Sequence, residues 1–185
     1  MTDDPRVAGA SVLATRPERK AVRMAEPVSE SRRINAPASA VFRILADPAL
    51  HPGIDGSGML REAVDLVPLR KVGDTFRMRM RNDEMGDYVM VNYVVEYEQD
   101  RRIGWEPEMH EASRPEDAPE IGVRARHRWT YELAPDGEGT VVTETYDCSL
   151  APEWLRNAVK GGERWRRTLT ISLKNLEDQC TGQER

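Results

Sequence analysis

The chain has 185 residues, of which 39% are hydrophobic and 32% charged, and its formal net charge is −5. This length suits one domain of about 150 residues with a tail, and the hydrophobic content is sufficient for a buried core. The negative charge argues against non-specific nucleic-acid binding, which usually requires a basic face.

Signals for metal binding, export and membrane insertion are weak. The cysteines, Cys148 and Cys180, fit neither a disulfide framework nor a zinc site, and the three histidines have no HxH or HxxxH spacing. We therefore predict no metal and no cofactor. No segment approaches the roughly 18 apolar residues of a membrane span, and Asp3 and Asp4 are atypical of a secretory signal. We expect a cytoplasmic protein without integral membrane association, as a monomer or a homodimer.

The first part of the chain divides into a tail and a domain start. Residues 1–25 mix Pro, Ala, Thr and charged residues without a sustained period, which predicts a flexible N-terminal tail. Alternation over residues 28–34 predicts the first strand of a folded domain at residues 26–181.

Two short helices are predicted next. Pro37 suits a first helical turn, and the segment ASAVFRIL has apolar residues at helical spacing. An Asp-Pro dipeptide ends this helix and begins the second. Because HPGIDGSG follows, we expect Gly53, Gly56 and Gly58 to supply the conformations of a sharp turn. A phosphate-binding loop is the alternative, and it is disfavoured because a strand follows rather than a helix.

The segment DTFRMRMRND alternates without a break between apolar residues and arginines. A period of two with one charged face predicts a half-buried antiparallel strand. The inward residues are Phe76, Met78 and Met80. The outward residues are Arg77, Arg79 and Arg81, which form either a solvated face or a surface for an acidic partner.

Two further strands and a loop follow. DYVMVNYVVEYEQD predicts a long strand, and RRIGWEP predicts a short one that carries Trp105. The better inward set of the long strand is Val89, Val91, Tyr93, Val95 and Tyr97. The acidic, proline-rich residues 107–121 are predicted to form a mobile loop.

A hairpin is predicted around the turn residues PDGEG. The inward face of its first strand carries His127, Trp129, Tyr131 and Leu133.

The facing of Glu144, on the second strand of this hairpin, is open. Apolarity turns it inward, because it shares a period of two with Val142 and Tyr146. A five-residue loop would instead pair Tyr131 with Thr143 and turn Glu144 outward. A bulge near one of the turn glycines would reconcile the two patterns.

Residues 151–180 predict one long amphipathic helix, with Pro152 in its first turn. Its apolar stripe consists of Leu155, Val159, Gly162, Trp165, Leu169, Leu173, Leu176 and Cys180. The predicted fold is therefore α+β, a curved antiparallel sheet of about six to seven strands wrapped around a long C-terminal helix, with two short helices closing one end. One helix covering a curved sheet favours a cavity between the two layers.

Several segments in this order resemble the START-like (SRPBCC) superfamily, and within it the polyketide cyclase/dehydrase branch. They are INAPASAVFRILADPALHPGIDGSG, VGDTFRMRM, HRWTYELAPDGEGTVVTET and the amphipathic helix. The resemblance covers residues 26–181 and implies a helix-grip fold with a deep hydrophobic pocket. Members of this family often carry an aromatic residue, commonly Trp, where this chain has Gly53-Ile54, so the resemblance implies a less bulky pocket mouth here.

The residues predicted to line this pocket are large and apolar or aromatic. They are Phe76, Met78, Met80, Val91, Tyr93, Trp105, Trp129, Tyr131, Trp165, Leu169 and Leu173. Each alone fits an ordinary core, but methionines and aromatic rings together favour an adaptable apolar binding site. The candidates for acid–base catalysis are Glu144, His127, Tyr131 and Tyr146. If Glu144 is buried, we expect its pKa to rise.

Three functions follow from these patterns. The favoured one is binding of a hydrophobic small molecule, such as a polyketide, sterol or fatty acyl compound. The first alternative is a cyclase, aromatase or dehydratase that acts on a poly-β-ketone. The second alternative is a protein-interaction module that uses the arginine-rich outer face and the acidic loop.

Overall fold

The computed structural model describes residues 26–113, 125–158 and 162–182. The predicted N-terminal tail and part of the predicted acidic loop lie outside these residues.

The described residues form one sheet and four α-helices. The strands are β1 (Val28–Ile34), β2 (Leu60–Ala63), β3 (Thr75–Asn82), β4 (Gly86–Glu98), β5 (Arg102–Met109), β6 (Arg128–Asp136) and β7 (Gly139–Asp147). The helices are α1 (Ala38–Leu45), α2 (His51–Ile54), α3 (Glu153–Ala158) and α4 (Glu163–Thr181). The sheet is antiparallel in the order β1-β7-β6-β5-β4-β3-β2, and α4 packs against β1 and α2. This is the helix-grip arrangement, so the predicted fold class is confirmed.

Strand β4 faces the opposite way from the prediction over most of its length. Its pairing with β3 sets Met90 and Asn92 opposite Met78 and Phe76, which face the interior. The prediction failed because the register shifts between Val94 and Glu96. One extra residue reverses the facing of every residue on one side of a bulge. The residues predicted inward that turn outward before the bulge are Val89, Val91 and Tyr93, whereas Tyr97, beyond it, packs against the core.

Strand β5 is longer than predicted. It continues through Met109, and Pro107 lies opposite Asn92 of β4. The first residues of the predicted loop are therefore part of the sheet, and a 3-10 turn at Glu111–Ser113 follows.

The β6–β7 hairpin is tighter than the five-residue loop considered above. Asp136 pairs with Gly139, so the turn consists of Gly137, with a φ of 60°, and Glu138. Glycine at the first of the two central positions is typical of a type II′ hairpin turn. The register places Tyr131 opposite Glu144. The pattern of apolar residues was therefore the correct guide to the facing of β7.

The two short helices are joined by a capped turn. The Asp47 carboxylate accepts a hydrogen bond from the Ala49 amide at 3.1 Å and so caps a 3-10 turn at Pro48–Leu50, which leads into α2. Of the glycines expected in the following turn, Gly58 has a positive φ, of 69°. Gly56 serves a different purpose, because a Cβ there would lie 2.2 Å from the Thr168 carbonyl oxygen of α4.

The predicted C-terminal helix is interrupted. It forms two helices, α3 and α4, and Gly162 precedes α4 with a φ of 66°. This left-handed conformation suits glycine and ends the regular helical geometry. The predicted stripe residue Val159 lies outside the described residues.

Two clusters of buried apolar side chains form the core. The larger cluster joins α1, the sheet and the second half of α4. Phe42 of α1 and Leu173 of α4 are both about 1% exposed in it. The smaller joins β1, β7 and α4 and includes Tyr146 and Leu169.

Candidate ligand-binding site

A cavity of about 200 Å³ lies between the sheet, α2 and α4. It is larger than the roughly 150 Å³ engineered cavity that accepts benzene. Its described lining is mainly apolar or aromatic. Four methionines line it, Met59, Met78, Met80 and Met90, together with three tryptophans, Trp105, Trp129 and Trp165.

One wall of the cavity is a chain of ring contacts. The imidazole of His51 stacks on Trp105 with ring centroids 5.2 Å apart, and Phe76 meets both rings edge to face. Tyr131 continues the chain, 5.7 Å from Trp105. Nε2 of His51 lies 2.9 Å from the Leu45 carbonyl oxygen, so this nitrogen carries a proton and donates. Burial lowers the pKa of His51 to about 4, and the ring is therefore neutral at pH 7.

Helix α4 forms the opposite wall with one aromatic and two small polar side chains. Trp165, Thr168 and Ser172 recur at helical spacing and face the cavity. The Gly56 amide donates to Ser172 Oγ at 3.0 Å, which fixes the loop after α2 against the middle of α4. Close approach at Gly56 thus sets the distance between this wall and the sheet.

Glu144 is buried at the cavity, with 2% of its surface exposed. The Tyr131 hydroxyl donates to Glu144 Oε1 at 2.7 Å, whereas Oε2 is buried without a hydrogen-bond partner among the described residues. Burial, with a smaller contribution from the charge of Asp55, raises the pKa of Glu144 to about 8, although the hydrogen bond from Tyr131 opposes this rise. The carboxyl group is therefore mostly protonated at pH 7. Burial also raises the pKa of Tyr131.

His127 and Tyr146 form a second polar pair at the cavity. Nδ1 of His127 lies 2.9 Å from the Tyr146 hydroxyl, and the Tyr146 ring packs between Trp129 and Trp165. Burial lowers the pKa of His127 to about 4, although a hydrogen bond to the Pro107 backbone opposes this. With its proton on Nε2, a neutral His127 accepts the hydrogen bond from the Tyr146 hydroxyl through Nδ1.

The glycine-rich loop does not present its amides to an anion. The Asp55 carboxylate accepts hydrogen bonds from the Ser57 amide at 2.9 Å, the Ser57 hydroxyl at 2.7 Å and the Leu60 amide at 2.9 Å. These donors are already satisfied within the chain, which does not favour the phosphate-loop alternative.

Most of the residues predicted from the sequence meet at this cavity. It is lined by Phe76, Met78, Met80, Trp105, Trp129, Tyr131 and Trp165 from the predicted pocket set, and by Glu144, His127, Tyr131 and Tyr146 from the catalytic set. Their contacts with a ligand, and any catalytic role, stay predictions.

Four predicted pocket residues lie elsewhere. Val91 and Tyr93 face the other side of the sheet, because the bulge in β4 reverses their orientation. Leu169 and Leu173 lie in the two core clusters rather than at the cavity. The periodicity of α4 identified its buried face correctly, but the cavity borders the neighbouring stripe of that helix.

Several lining residues were not predicted from the sequence because they are polar. Thr168 and Ser172 of α4 and Asn92 of β4 carry no apolar signal. His51 is not among the predicted site residues, and it both bonds to the backbone and lines the cavity. A helical wheel that also marked small polar residues beside Trp165 could have found the α4 positions.

The outward arginines of β3 are all ion-paired. Arg77 binds Asp65 at 2.8 Å, a contact that lowers the pKa of that carboxyl group. The other two pairs are Arg79 with Glu62 at 2.8 Å and Arg81 with Asp87 at 3.2 Å. This row of cations thus has its counter-charges within the chain, which does not favour an acidic-partner surface.

Metal-binding clusters and membrane-spanning helices are both absent from the described residues. They contain no group of three or more His, Cys, Asp and Glu side chains arranged to hold a metal ion. Among the described helices, none combines the length and the apolar character that a membrane span requires.

The fold and the cavity together define a helix-grip protein with an internal apolar site. A sequence profile of the family described as "Polyketide cyclase / dehydrase and lipid transport" matches residues 26–181. The chain belongs to this family, as the resemblance in its sequence predicted.

Two curated relatives come from Mycobacterium tuberculosis. The chain is 30% identical over 138 residues to the uncharacterised protein MT0096 and 31% identical over 136 residues to the uncharacterised protein Rv0088. Each match covers 73% of this chain and 51% of the relative. The chain thus spans about half the length of the curated relatives that it matches.

Solved structures share the fold at low sequence identity. Protein CV1439 from Chromobacterium violaceum aligns with a TM-score of 0.61 at 17% identity, over 83% of this chain and 96% of that one. Protein Ms6760 from Mycobacterium smegmatis aligns with a TM-score of 0.60 at 12% identity, over 85% and 92% of the two chains. These similarities establish the fold alone.

Proposed function

We propose that this protein binds a small hydrophobic molecule, of polyketide, lipid or sterol-like character, in the cavity between the sheet and α4. The observation that carries the proposal is an apolar, aromatic-lined cavity of about 200 Å³ that the described side chains leave unfilled. Protein interiors are otherwise close-packed, and a void of this size costs stability, so its presence favours a functional role. Membership of a family described by cyclase activity and lipid transport supports the same role.

The lining suits an adaptable and weakly polar guest. Methionine side chains are flexible and polarizable, so they fit apolar ligands of varied shape. The tryptophans supply flat faces for stacking against a ring system. By comparison with the benzene-sized engineered cavity, the volume favours a ligand portion of one or two rings.

A cavity-blocking variant with a matched control tests the proposal. Thr168→Phe places a ring into the cavity from α4, whereas Thr170→Phe makes the same change on the exposed side of the same helix. With ethylnaphthalene as the calorimetric probe, we expect Thr168→Phe to weaken binding at least about tenfold and Thr170→Phe to leave it unchanged. Equal affinities in both variants, or no binding to the unmodified chain, would contradict the proposal.

Acid–base catalysis is a second candidate because of one observation. The pKa of Glu144, raised to about 8, lies near neutral pH, where a carboxyl group can both give and take a proton. In such a reaction Glu144 would protonate a substrate carbonyl oxygen, with Tyr131 holding the carboxyl group in place at 2.7 Å. Full turnover by a Glu144→Gln variant in a cyclisation assay would remove this role. Loss of turnover with unchanged ligand affinity would support it.

A further inference from the structure

The carboxyl group of Glu144 has one satisfied and one unsatisfied oxygen. Oε1 accepts from Tyr131, and Oε2 has no partner among the described residues although it is fully buried. Buried polar atoms in native proteins are almost always hydrogen-bonded, so an unpaired one at a cavity points to a partner outside the chain. Because Tyr131 already donates to Oε1, the acidic proton of a neutral Glu144 lies on Oε2 of this cavity-lining carboxyl group.

The cavity lining carries acidic groups without basic ones to balance them. The described lining contains the carboxyl groups of Asp55 and Glu144 but no lysine or arginine. Its two imidazoles belong to His51 and His127, and burial keeps both neutral at pH 7. A carboxylate or phosphate on a ligand would thus enter a low-dielectric site without a counter-ion, which is strongly unfavourable.

We propose that Glu144 determines ligand specificity: its neutral carboxyl group donates a hydrogen bond through Oε2 to a ketone, ester or ether oxygen of an uncharged ligand, and the site rejects anions such as free fatty acids. This inference rests on the proposed binding function and narrows it from any hydrophobic molecule to neutral ligands with an acceptor oxygen.

The groups that face Glu144 act in opposite directions. Asp55, after α2, repels a second negative charge and favours the neutral form, whereas the hydrogen bond from Tyr131 of β6 favours the ionised form. Burial outweighs the effect of Tyr131, and Tyr131 itself stays protonated well above pH 8. On β1, Glu30 lies opposite Glu144 in the sheet and is itself paired with Arg166 of α4 at 3.0 Å. Above pH 8 Glu144 ionises, loses its proton and becomes an acceptor.

Three naphthalenes substituted at the same ring carbon test the inference by calorimetry. Acetylnaphthalene has an acceptor oxygen, ethylnaphthalene has nearly the same shape without it, and naphthoate is an anion. At pH 6.5 we expect the full-length protein to bind the ketone about tenfold or more tightly than the hydrocarbon, because a buried donor gains its partner. We expect naphthoate to bind at least about a hundredfold more weakly than the ketone.

Two variants and a second pH distinguish the effect of the Glu144 hydrogen-bond donor on ligand affinity from the effect of the cavity's shape. At pH 9.5 the ketone preference should disappear in the unmodified protein but persist in Glu144→Gln, whose amide donates at both pH values. The double variant Tyr131→Phe with Glu144→Met removes both polar groups, and it should bind the ketone and the hydrocarbon equally. Glu138→Gln, an exposed change in the β6–β7 turn, should behave like the unmodified protein.

The outcomes distinguish this inference from the proposed function. If the hydrocarbon binds but the ketone has no advantage, or if naphthoate binds as well as the ketone, the role of Glu144 is wrong while the binding function stands. If none of the three probes binds, both proposals fail. Should the double variant not fold, the two pH values with the unmodified protein and Glu144→Gln still decide the question.

Discussion

Replacing Glu144 by Gln should change how the stability of the protein depends on pH. The pKa of Glu144 rises from 4.5 to about 8 on folding, chiefly because of burial. Between these values the folded state keeps a proton that the unfolded state has lost. The free energy of unfolding therefore falls as the pH rises, and it levels off above pH 8. The glutamine side chain of the variant cannot ionise, so its contribution does not change with pH.

The window from pH 6.5 to 8.5 isolates this effect. The buried histidines, His51 and His127, have pKa values lowered from 6.5 to about 4. Their contribution to the free energy of unfolding therefore rises with pH between about 4 and 6.5 and changes little above that range. Between pH 6.5 and the pKa of Glu144, the free energy of unfolding falls by about 1.4 kcal/mol for each pH unit. The unmodified protein should thus lose about 2 kcal/mol across the window relative to Glu144→Gln.

Urea unfolding at pH 6.5, 7.5 and 8.5 measures this difference, with Glu138→Gln as the control for loss of an exposed carboxylate. The control should follow the unmodified protein. Parallel pH dependences of the unmodified protein and Glu144→Gln would show that Glu144 is already ionised at pH 6.5. That result would refute the argument from burial.

Further changes test the elements that shape the cavity. Gly56→Ala should lower the melting temperature by several degrees, because its Cβ would lie 2.2 Å from a carbonyl oxygen in the backbone of α4; an unchanged melting temperature would show that the two walls can separate freely. Phe42→Ala should reduce the free energy of unfolding by about 3–5 kcal/mol, because Phe42 is buried against the core and meets Tyr97 edge to face; a loss below about 1 kcal/mol in urea unfolding would contradict that packing. Asp47→Ala should cost about 1 kcal/mol through loss of the cap on the 3-10 turn, and no loss in the same measurement would mean that the cap is dispensable.

The sheet was predictable where one face of a strand is clearly polar. β3 alternates methionine and phenylalanine with arginine, and its facing follows from the sequence. In β4 both faces carry apolar residues, and the prediction turned the wrong face inward. The bulge after Val94 reverses the facing, and the inward face includes Asn92, whose polarity argues against burial. A bulge depends on pairing with the neighbouring strand, which local patterns do not show.

The predicted architecture implied a cavity, but it did not identify all the residues that line it. Periodicity separates the buried face of α4 from the exposed one, and it cannot tell a residue that meets other side chains from one that borders open space. Leu173 belongs to the first kind and Ser172 to the second. The unsatisfied oxygen of Glu144 was likewise invisible in the sequence, because it depends on the β6–β7 register that sets Tyr131 opposite.

Methionine methyl groups offer the most direct test of the claim that the cavity takes up a small apolar molecule. In protein labelled at the methionine methyl carbons, we expect titration with ethylnaphthalene to shift the NMR signals of Met59, Met78, Met80 and Met90 saturably. All four line the cavity, whereas Met85 is 49% exposed outside it and its signal should not move. Shifts at Met85 without shifts at the cavity methionines, or no saturable shift at all, would contradict the account.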